Sequence, residues 1–173
     1  ATSLLNEEQF FLPWSFDSRG RVYPQASTLN TQSTNFGKSL VMFAEPGPFN
    51  KTAEKWLAIH IANCWGNGVD KRSLTERINW VKSAGTVLIK KIVTSPLAVI
   101  KSWNKEDNSS PSEPWQLIAA AYEWYACVIS KVQTTTSIMC ATDATCSGLQ
   151  ILTGLMLDEQ ASTFVNVQNR PDG

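Results

Sequence analysis

The sequence changes from a strand pattern to a helix pattern within residues 137–156, which read SIMCATDATCSGLQILTGLM. The first six residues form a short, mostly apolar run, which is typical of a buried β-strand. Beyond Asp143, residues suited to a packed helix face recur at helical spacing: Gly148, Leu149, Leu152, Leu155 and Met156. The pattern therefore predicts a strand over 137–142, a carboxylate at its carboxyl end, and a helix directly after it.

Asp143 has two interpretations from its surroundings alone. A carboxylate fixed at the edge of a rigid strand suits a small, hard cation such as Mg²⁺, which takes oxygen ligands at about 2.0 to 2.1 Å in octahedral geometry. An aspartate between a strand and a helix is also a common helix cap. These residues alone leave metal binding and capping both open.

A second informative stretch lies near the start of the chain, at residues 17–23, which read DSRGRVY. Phe16, Val22 and Tyr23 favour two short strands, and Gly20 permits the backbone angles of a tight turn between them. Arginine supplies a permanently charged, forked donor that suits phosphate oxygens. The alternative is a local ion pair between Asp17 and Arg21, worth only about 0 to 1 kcal/mol if exposed.

In this order and at this separation, the two stretches resemble motifs of the single-subunit, phage-type RNA polymerases, a family that includes the mitochondrial enzymes. Residues 17–21 resemble the D-x-x-G-R motif, and residues 143–150 resemble the first catalytic aspartate motif. Other segments look like family landmarks in the expected order: residues 36–40, 56–64, 68–71, 76–78 and 164–167. The resemblance therefore runs over nearly the whole chain.

The resemblance implies a catalytic role for Asp143. In two-metal phosphoryl transfer one ion activates the attacking hydroxyl and the other steadies the leaving phosphate, at a separation of about 3.5 to 4 Å. By resemblance, Asp143 bridges two Mg²⁺ ions and the backbone carbonyl of Ala144 adds one oxygen ligand. The resemblance also implies that Arg19, Gly20 and Arg21 contact the nucleic-acid backbone, while Asp17 orients the turn or its arginines.

Gly148 bears on the choice of sugar. The A-family DNA polymerases, which share this palm, have a segment resembling D-Y-S-Q-I-E at the corresponding position. Its glutamate, five residues after the aspartate, crowds the sugar 2′ position. A glycine leaves room for the 2′-hydroxyl that distinguishes ribonucleotides. The alternative is that Gly148 only lets its helix pack closely on a neighbour. Ile151 departs from the histidine of most members, which puts any polar role of that position in doubt.

The expected fold class is α+β, as part of a polymerase palm with short antiparallel strands and a predominantly helical insertion. We expect one incomplete palm segment divided into strands with the D-x-x-G-R motif (1–45), the helical insertion (46–135) and a strand and helix with the aspartate motif (136–173). Helix signals in the middle predict a helix from Asn50 or Thr52 to Cys64 and another from Ser73 to about Thr94. A shorter helix begins at Ser95-Pro96, and a last one runs from Trp115 to about Lys131.

Two family motifs have no counterpart in this sequence: the lysine and tyrosine motif of the fingers, and the later H-D-S motif with the second catalytic aspartate. We therefore expect a segment of a DNA-directed RNA polymerase that is inactive alone. The implied partners are the DNA template, the RNA product, ribonucleoside triphosphates, and the remaining fingers, thumb and palm. The expected location is intracellular, in the cytoplasm of a phage-infected host or in an organelle, with no membrane partner.

Composition does not favour nucleic-acid binding. The chain has 15 basic and 15 acidic residues, whereas a free nucleic-acid-binding domain is usually basic. A non-catalytic helical interaction domain, in which both motifs are coincidences of turn chemistry, explains the neutral charge and the aromatic-rich helices equally well. It does not explain the ordered family landmarks.

The cysteines and the single histidine are predicted to be structural. Cys64, Cys127, Cys140 and Cys146 form no C-x-x-C pair, which indicates reduced thiols rather than a zinc site or disulfides. His60 belongs to an apolar stripe of its predicted helix, so we expect it to be packed. No run approaches the roughly 20 apolar residues of a membrane span.

Overall fold

The computed structural model describes residues 7–103, 110–141 and 147–168. Within these ranges the chain is mostly helical, with two small antiparallel sheets of two strands each. The strands are β1 Trp14–Phe16, β2 Val22–Pro24, β3 Gly47–Pro48 and β4 Thr135–Thr136. The helices are α1 Asn35–Ser39, α2 Lys51–Trp65, α3 Leu74–Trp80, α4 Thr86–Thr94, α5 Pro96–Ser102, α6 Pro114–Trp124, α7 Ser147–Met156 and α8 Glu159–Phe164. The expected combination of short antiparallel strands and a helical middle is confirmed.

The chain divides into two compact units, Ala1–Cys140 and Ala141–Gly173. In the first unit, α2 begins and ends where its local signals predict. The Oδ1 atom of Asn50 accepts hydrogen bonds from the backbone N–H groups of Thr52 and Ala53, both at 3.0 Å. This selects Asn50, not Thr52, as the cap, and Gly66 ends the helix with a positive φ of 69°.

The helix predicted from Ser73 to Thr94 is present, with one irregularity. Ser73 and Glu76 form the predicted capping box. Between α3 and α4 the chain forms one wide π-helical turn at Val81–Gly85, and a second such turn at Tyr125–Ile129 prolongs α6. Among the described residues no single helix is long and apolar enough to cross a bilayer. The helical segments Leu74–Thr94 and Pro96–Ser102, bent by 118° at their junction, together have the length and composition of a membrane span.

The hydrophobic core lies where α2, α4 and α6 meet. Its largest fully buried side chains are Trp124, Leu57, Ile61, Ile89, Ile92, Leu117 and Val81. The carbonyls that end α2 are satisfied by the chain that begins α6, since Ser112 N–H donates to the Trp65 oxygen at 3.1 Å and Glu113 N–H to the Cys64 oxygen at 2.9 Å. These bonds fix the end of α2 against the start of α6.

The strand predicted over 137–142 is wrong for the residues that the structure describes. The strand here is β4, which lies just before that range and pairs Thr136 with Gly47 and Thr135 with Pro48. Beyond it, the Ser137 carbonyl accepts one bond from Phe43 N–H at 2.9 Å, and 138–141 are not extended into a ladder. The partner chain leaves the register of the ladder beyond Gly47, because Ser137 bonds Phe43 where continued pairing would place Pro46 opposite it.

The second compact unit contains α7 and α8. Asp158 caps α8 by accepting a hydrogen bond from Ala161 N–H at 2.9 Å. Gln150 joins the two ends of the unit, because its side-chain amide donates to the Val165 carbonyl at 2.7 Å. The predicted helix after the aspartate motif is therefore present as α7.

Candidate nucleic-acid interface

The D-x-x-G-R residues form the turn of a β-hairpin. Strands β1 and β2 pair antiparallel, with Phe16 opposite Val22 and Trp14 opposite Pro24. Gly20 N–H donates to the Asp17 carbonyl at 3.0 Å. Gly20 has a φ of +76°, a left-handed conformation that strongly favours glycine. The predicted pair of strands around a glycine turn is confirmed.

The Asp17 carboxylate organises this turn. Its Oδ1 accepts from the backbone N–H groups of Arg19 at 2.8 Å and Arg21 at 3.0 Å. Its Oδ2 accepts from the Arg19 guanidinium, at 3.0 Å from Nε and 2.8 Å from Nη2. The backbone hydrogen bond from Arg21, more than any other contact, lowers the pKa of Asp17 below its ordinary value.

The two arginines of the motif differ in their side-chain contacts. Asp17 forms its ion pair with Arg19, so the Asp17–Arg21 pair considered from sequence is not formed. The Arg21 side chain is exposed and has no ion pair or side-chain hydrogen bond to any described residue. The turn thus uses the Arg21 backbone for its own structure and leaves the guanidinium at the surface.

Aromatic side chains lie beside this turn on the hairpin strands. Trp14 is 45% exposed and Phe16 is 77% exposed, and the Tyr23 hydroxyl lies 3.5 Å from Asp17 Oδ2. Exposed aromatics next to arginines are typical of surfaces that stack bases and bind phosphates. The sequence argument used Phe16 and Tyr23 only as strand formers and did not identify this exposed surface.

The proposed metal ligands Asp143 and Ala144 lie outside the described residues. The chain leading to them is anchored at Ile138, which packs on the core and whose N–H donates to Thr136 Oγ1 at 3.3 Å. In the part of the chain that the structure describes, no three His, Cys, Asp or Glu side chains are grouped to hold a metal ion.

Gly148 is the second residue of α7, in the second compact unit. A Cβ atom built on it would meet no heavy atom of the described chain within 4 Å. Within the described residues of its own unit, close packing does not require a glycine at this position.

The structure also brings together a histidine and a cysteine, one turn apart on α2. His60 Nε2 lies 3.6 Å from Cys64 Sγ, and both residues are buried, as predicted for His60. Burial lowers the pKa of His60 to about 4 and raises the pKa of Cys64 to about 12. Both shifts favour the neutral forms, whereas a nucleophilic pair requires a thiolate beside an imidazolium.

Comparison with known proteins identifies the family of the chain. Residues 47–172 match the family model for DNA-dependent RNA polymerase. The chain is 32% identical to the chloroplastic/mitochondrial DNA-directed RNA polymerase 2B of Nicotiana tabacum, over 96% of this chain. It is 31% identical to T7 RNA polymerase of Escherichia phage T7, again over 96% of this chain, and 29% identical to the mitochondrial enzyme of Neurospora crassa over 93%.

These matches define a polymerase of the single-subunit type. The chain belongs to the DNA-dependent RNA polymerases of the phage and organellar kind. It spans 16% of the Nicotiana tabacum relative, 18% of the phage T7 enzyme and 11% of the Neurospora crassa enzyme. A non-catalytic domain with coincidental motifs does not account for similarity along the whole sequence.

Proposed function

We propose that this chain forms the part of a DNA-directed RNA polymerase palm that supplies the first catalytic aspartate and a hairpin that holds nucleic acid. The observation that carries the proposal is the arrangement at the hairpin, in a chain of this family. Asp17 fixes the turn and neutralises Arg19, while Arg21 keeps an exposed guanidinium. Phosphodiester oxygens are the ligands that such a donor suits.

Asp143 is the proposed metal ligand of the catalytic centre. Polymerases of this family use Mg²⁺, and the donor set fits that ion, since carboxylate and carbonyl oxygens are its preferred protein ligands. Asp143 and the Ala144 carbonyl would hold the ions, which supply charge stabilisation during ribonucleotidyl transfer. These two groups leave most of an octahedral shell to other ligands, so the isolated chain is expected to bind Mg²⁺ weakly and to synthesise no RNA.

Gly148 is the proposed determinant of ribonucleotide use. Open space at its missing Cβ supports a site that accommodates the 2′-hydroxyl of an incoming ribonucleotide. The DNA template, the RNA product and the ribonucleoside triphosphates are the corresponding proposed partners. Exposed apolar residues of α7, at Ile151, Leu155 and Met156, offer a surface for the remaining polymerase domains.

Arg21→Ala tests the hairpin as a nucleic-acid contact. We expect the variant to bind an RNA–DNA hybrid more weakly, because one phosphate contact is lost. The slope of log affinity against log salt should become shallower by about 0.7 to 0.9. Fluorescence anisotropy of a labelled hybrid at several salt concentrations measures both quantities.

Arg72→Ala is the matched control, because it removes the same charge from another exposed position. It should leave the salt slope unchanged. Equal slopes for the Arg21→Ala chain and the unsubstituted chain would show that the hairpin does not hold the phosphate backbone.

A further inference from the structure

Basic residues are concentrated in the segment that forms α3 to α5. Although the whole chain is balanced at 15 basic and 15 acidic residues, the stretch from Arg77 to Ser102 contains no acidic residue. Its basic residues are Arg77, Lys82, Lys90, Lys91 and Lys101. A neutral total charge therefore conceals a strongly basic region within the helical middle of the chain.

The first two of these residues are used within the fold. Arg77 donates to Asn63 Oδ1 and to the Arg72 carbonyl, both at 2.8 Å. Lys82 forms an ion pair with Glu54 at 2.7 Å. Lys90, Lys91 and Lys101 differ, because they are exposed and form no ion pair with any described residue. Among the described residues, no acidic side chain neutralises these three charges.

Two of the free lysines line a groove between α4 and α5. The helices bend sharply at Ser95, where the axis turns by 118°. Residues of both helices line a shallow, open groove of about 440 Å³ there. The lining residues are Lys90, Lys91, Thr94, Ser95, Ala98, Val99 and Ser102. Lys101 lies one helical turn beyond Ala98 on α5, so it extends the positive charge past the groove.

The lining favours a phosphate backbone over a protein surface. Protein interfaces are centred on aromatic, methionine or arginine anchors and are depleted in lysine, and none of those anchors is among the lining residues of this groove. The lining is mostly apolar at its surface, with three hydroxyl groups beside the lysines, and its small side chains let a polymer backbone approach closely. Positive charge on a concave surface also concentrates the potential that attracts a polyanion.

We propose that the groove between α4 and α5, with Lys90 and Lys91, is a second nucleic-acid contact that binds the phosphodiester backbone without reading its sequence. It is separate from the hairpin and extends the proposed function from one contact surface to two. Lys101 strengthens the same surface.

The double variant Lys90→Gln/Lys91→Gln tests the proposal on the 173-residue chain. The probes are fluorescent 20-nucleotide single-stranded RNA and 20-base-pair duplex DNA, each titrated at several salt concentrations. We expect affinity to fall by roughly tenfold and the salt slope to become shallower by about 1.4 with RNA or 1.8 with duplex DNA. The probe that shows the loss identifies the kind of nucleic acid that the groove holds.

Lys51→Gln/Lys55→Gln is the matched control, since it removes two exposed lysines from the start of α2. Its binding should be close to that of the unsubstituted chain, with the same unfolding midpoint in all three proteins. If binding is unchanged in the Lys90/Lys91 variant but weakened in Arg21→Ala, the proposed groove contact is overturned while the proposed hairpin contact is retained. Competition by polyglutamate as strong as that by RNA would overturn it by assigning the groove to an acidic protein.

Discussion

His60 makes the stability of the fold depend on pH. Its ring is 4% exposed, and burial lowers its pKa to about 4 from an ordinary value of 6.5. The unfolded chain therefore binds a proton between these two values that the folded chain does not. The contribution of His60 to the free energy of unfolding is therefore fully present above pH 6.5, and it is lost as the pH falls towards 4.

We expect the free energy of unfolding to drop by about 2 kcal/mol between pH 7 and pH 5 because of this residue alone. Urea denaturation at both pH values measures the drop. The variant His60→Gln, which has no group that titrates in this range, provides the comparison. An equal drop in the variant would mean that His60 is not the source of the pH dependence.

Arg19 and Arg21 show what sequence reasoning can reach at the level of single residues. The glycine turn and its flanking strands were predictable, because they depend on local backbone preferences. The choice of Arg19 as the partner of Asp17 was not, because it depends on how the turn orients both side chains. The roles of Asp143, Ala144 and Gly148 in catalysis stay predictions.

Among the elements, α6 depends on a residue far away in the sequence. Pro114 begins the helix, and Glu113 before it provides no side-chain cap. Asn35 of α1 provides the missing cap, because its Oδ1 accepts hydrogen bonds from Trp115 N–H at 2.8 Å and from Gln116 N–H at 3.3 Å. Its amide also donates to the Glu113 carboxylate. A side chain of α1 thus caps α6 and links the two helices.

Asn35→Ala should lower the free energy of unfolding by about 1 to 2 kcal/mol, the usual effect of removing a capping side chain. Urea denaturation at pH 7 measures the change. Asn79→Ala is the control, since that residue is exposed within α3 and alanine is a good helix former. Equal stability of the Asn35→Ala and Asn79→Ala chains would contradict the capping role.

Helices and strands were not equally predictable in this chain. The ends of α2 and the start of α3 follow from Asn50, Gly66 and the Ser73 capping box, which are signals contained in the sequence of each helix. The strand over 137–142 failed because a strand depends on its partner. Here the partner chain leaves the ladder register before it reaches residues 138–141, and the apolar pattern of 137–142 carries no information about that.

At the scale of the whole molecule, the order of the motifs was more informative than the composition. Net charge gave no sign of nucleic-acid binding, yet the family match covers residues 47–172. The net charge also hides an uneven distribution of charge along the sequence. Exposed Lys90 and Lys91 in a stretch without acidic residues are balanced by acidic residues elsewhere in the sequence.

The central claim is that this chain supplies the first catalytic aspartate of an RNA polymerase. A chimera tests it, in which the matching segment of T7 RNA polymerase is replaced by this chain. Asp143→Asn removes the charge of the proposed metal ligand with little change in size. Asp158→Asn is the control, because asparagine retains the capping of α8.

The decisive measurement is the rate of RNA primer extension on a DNA template by these chimeras. We predict that Asp143→Asn lowers the rate about a thousandfold or more, as expected for a loss of about 4 kcal/mol of transition-state stabilisation. Asp158→Asn should extend at nearly the unsubstituted rate. Extension by the Asp143→Asn chimera within about tenfold of the unsubstituted chimera would contradict the claim. So would an unsubstituted chimera that folds and binds DNA but does not extend the primer.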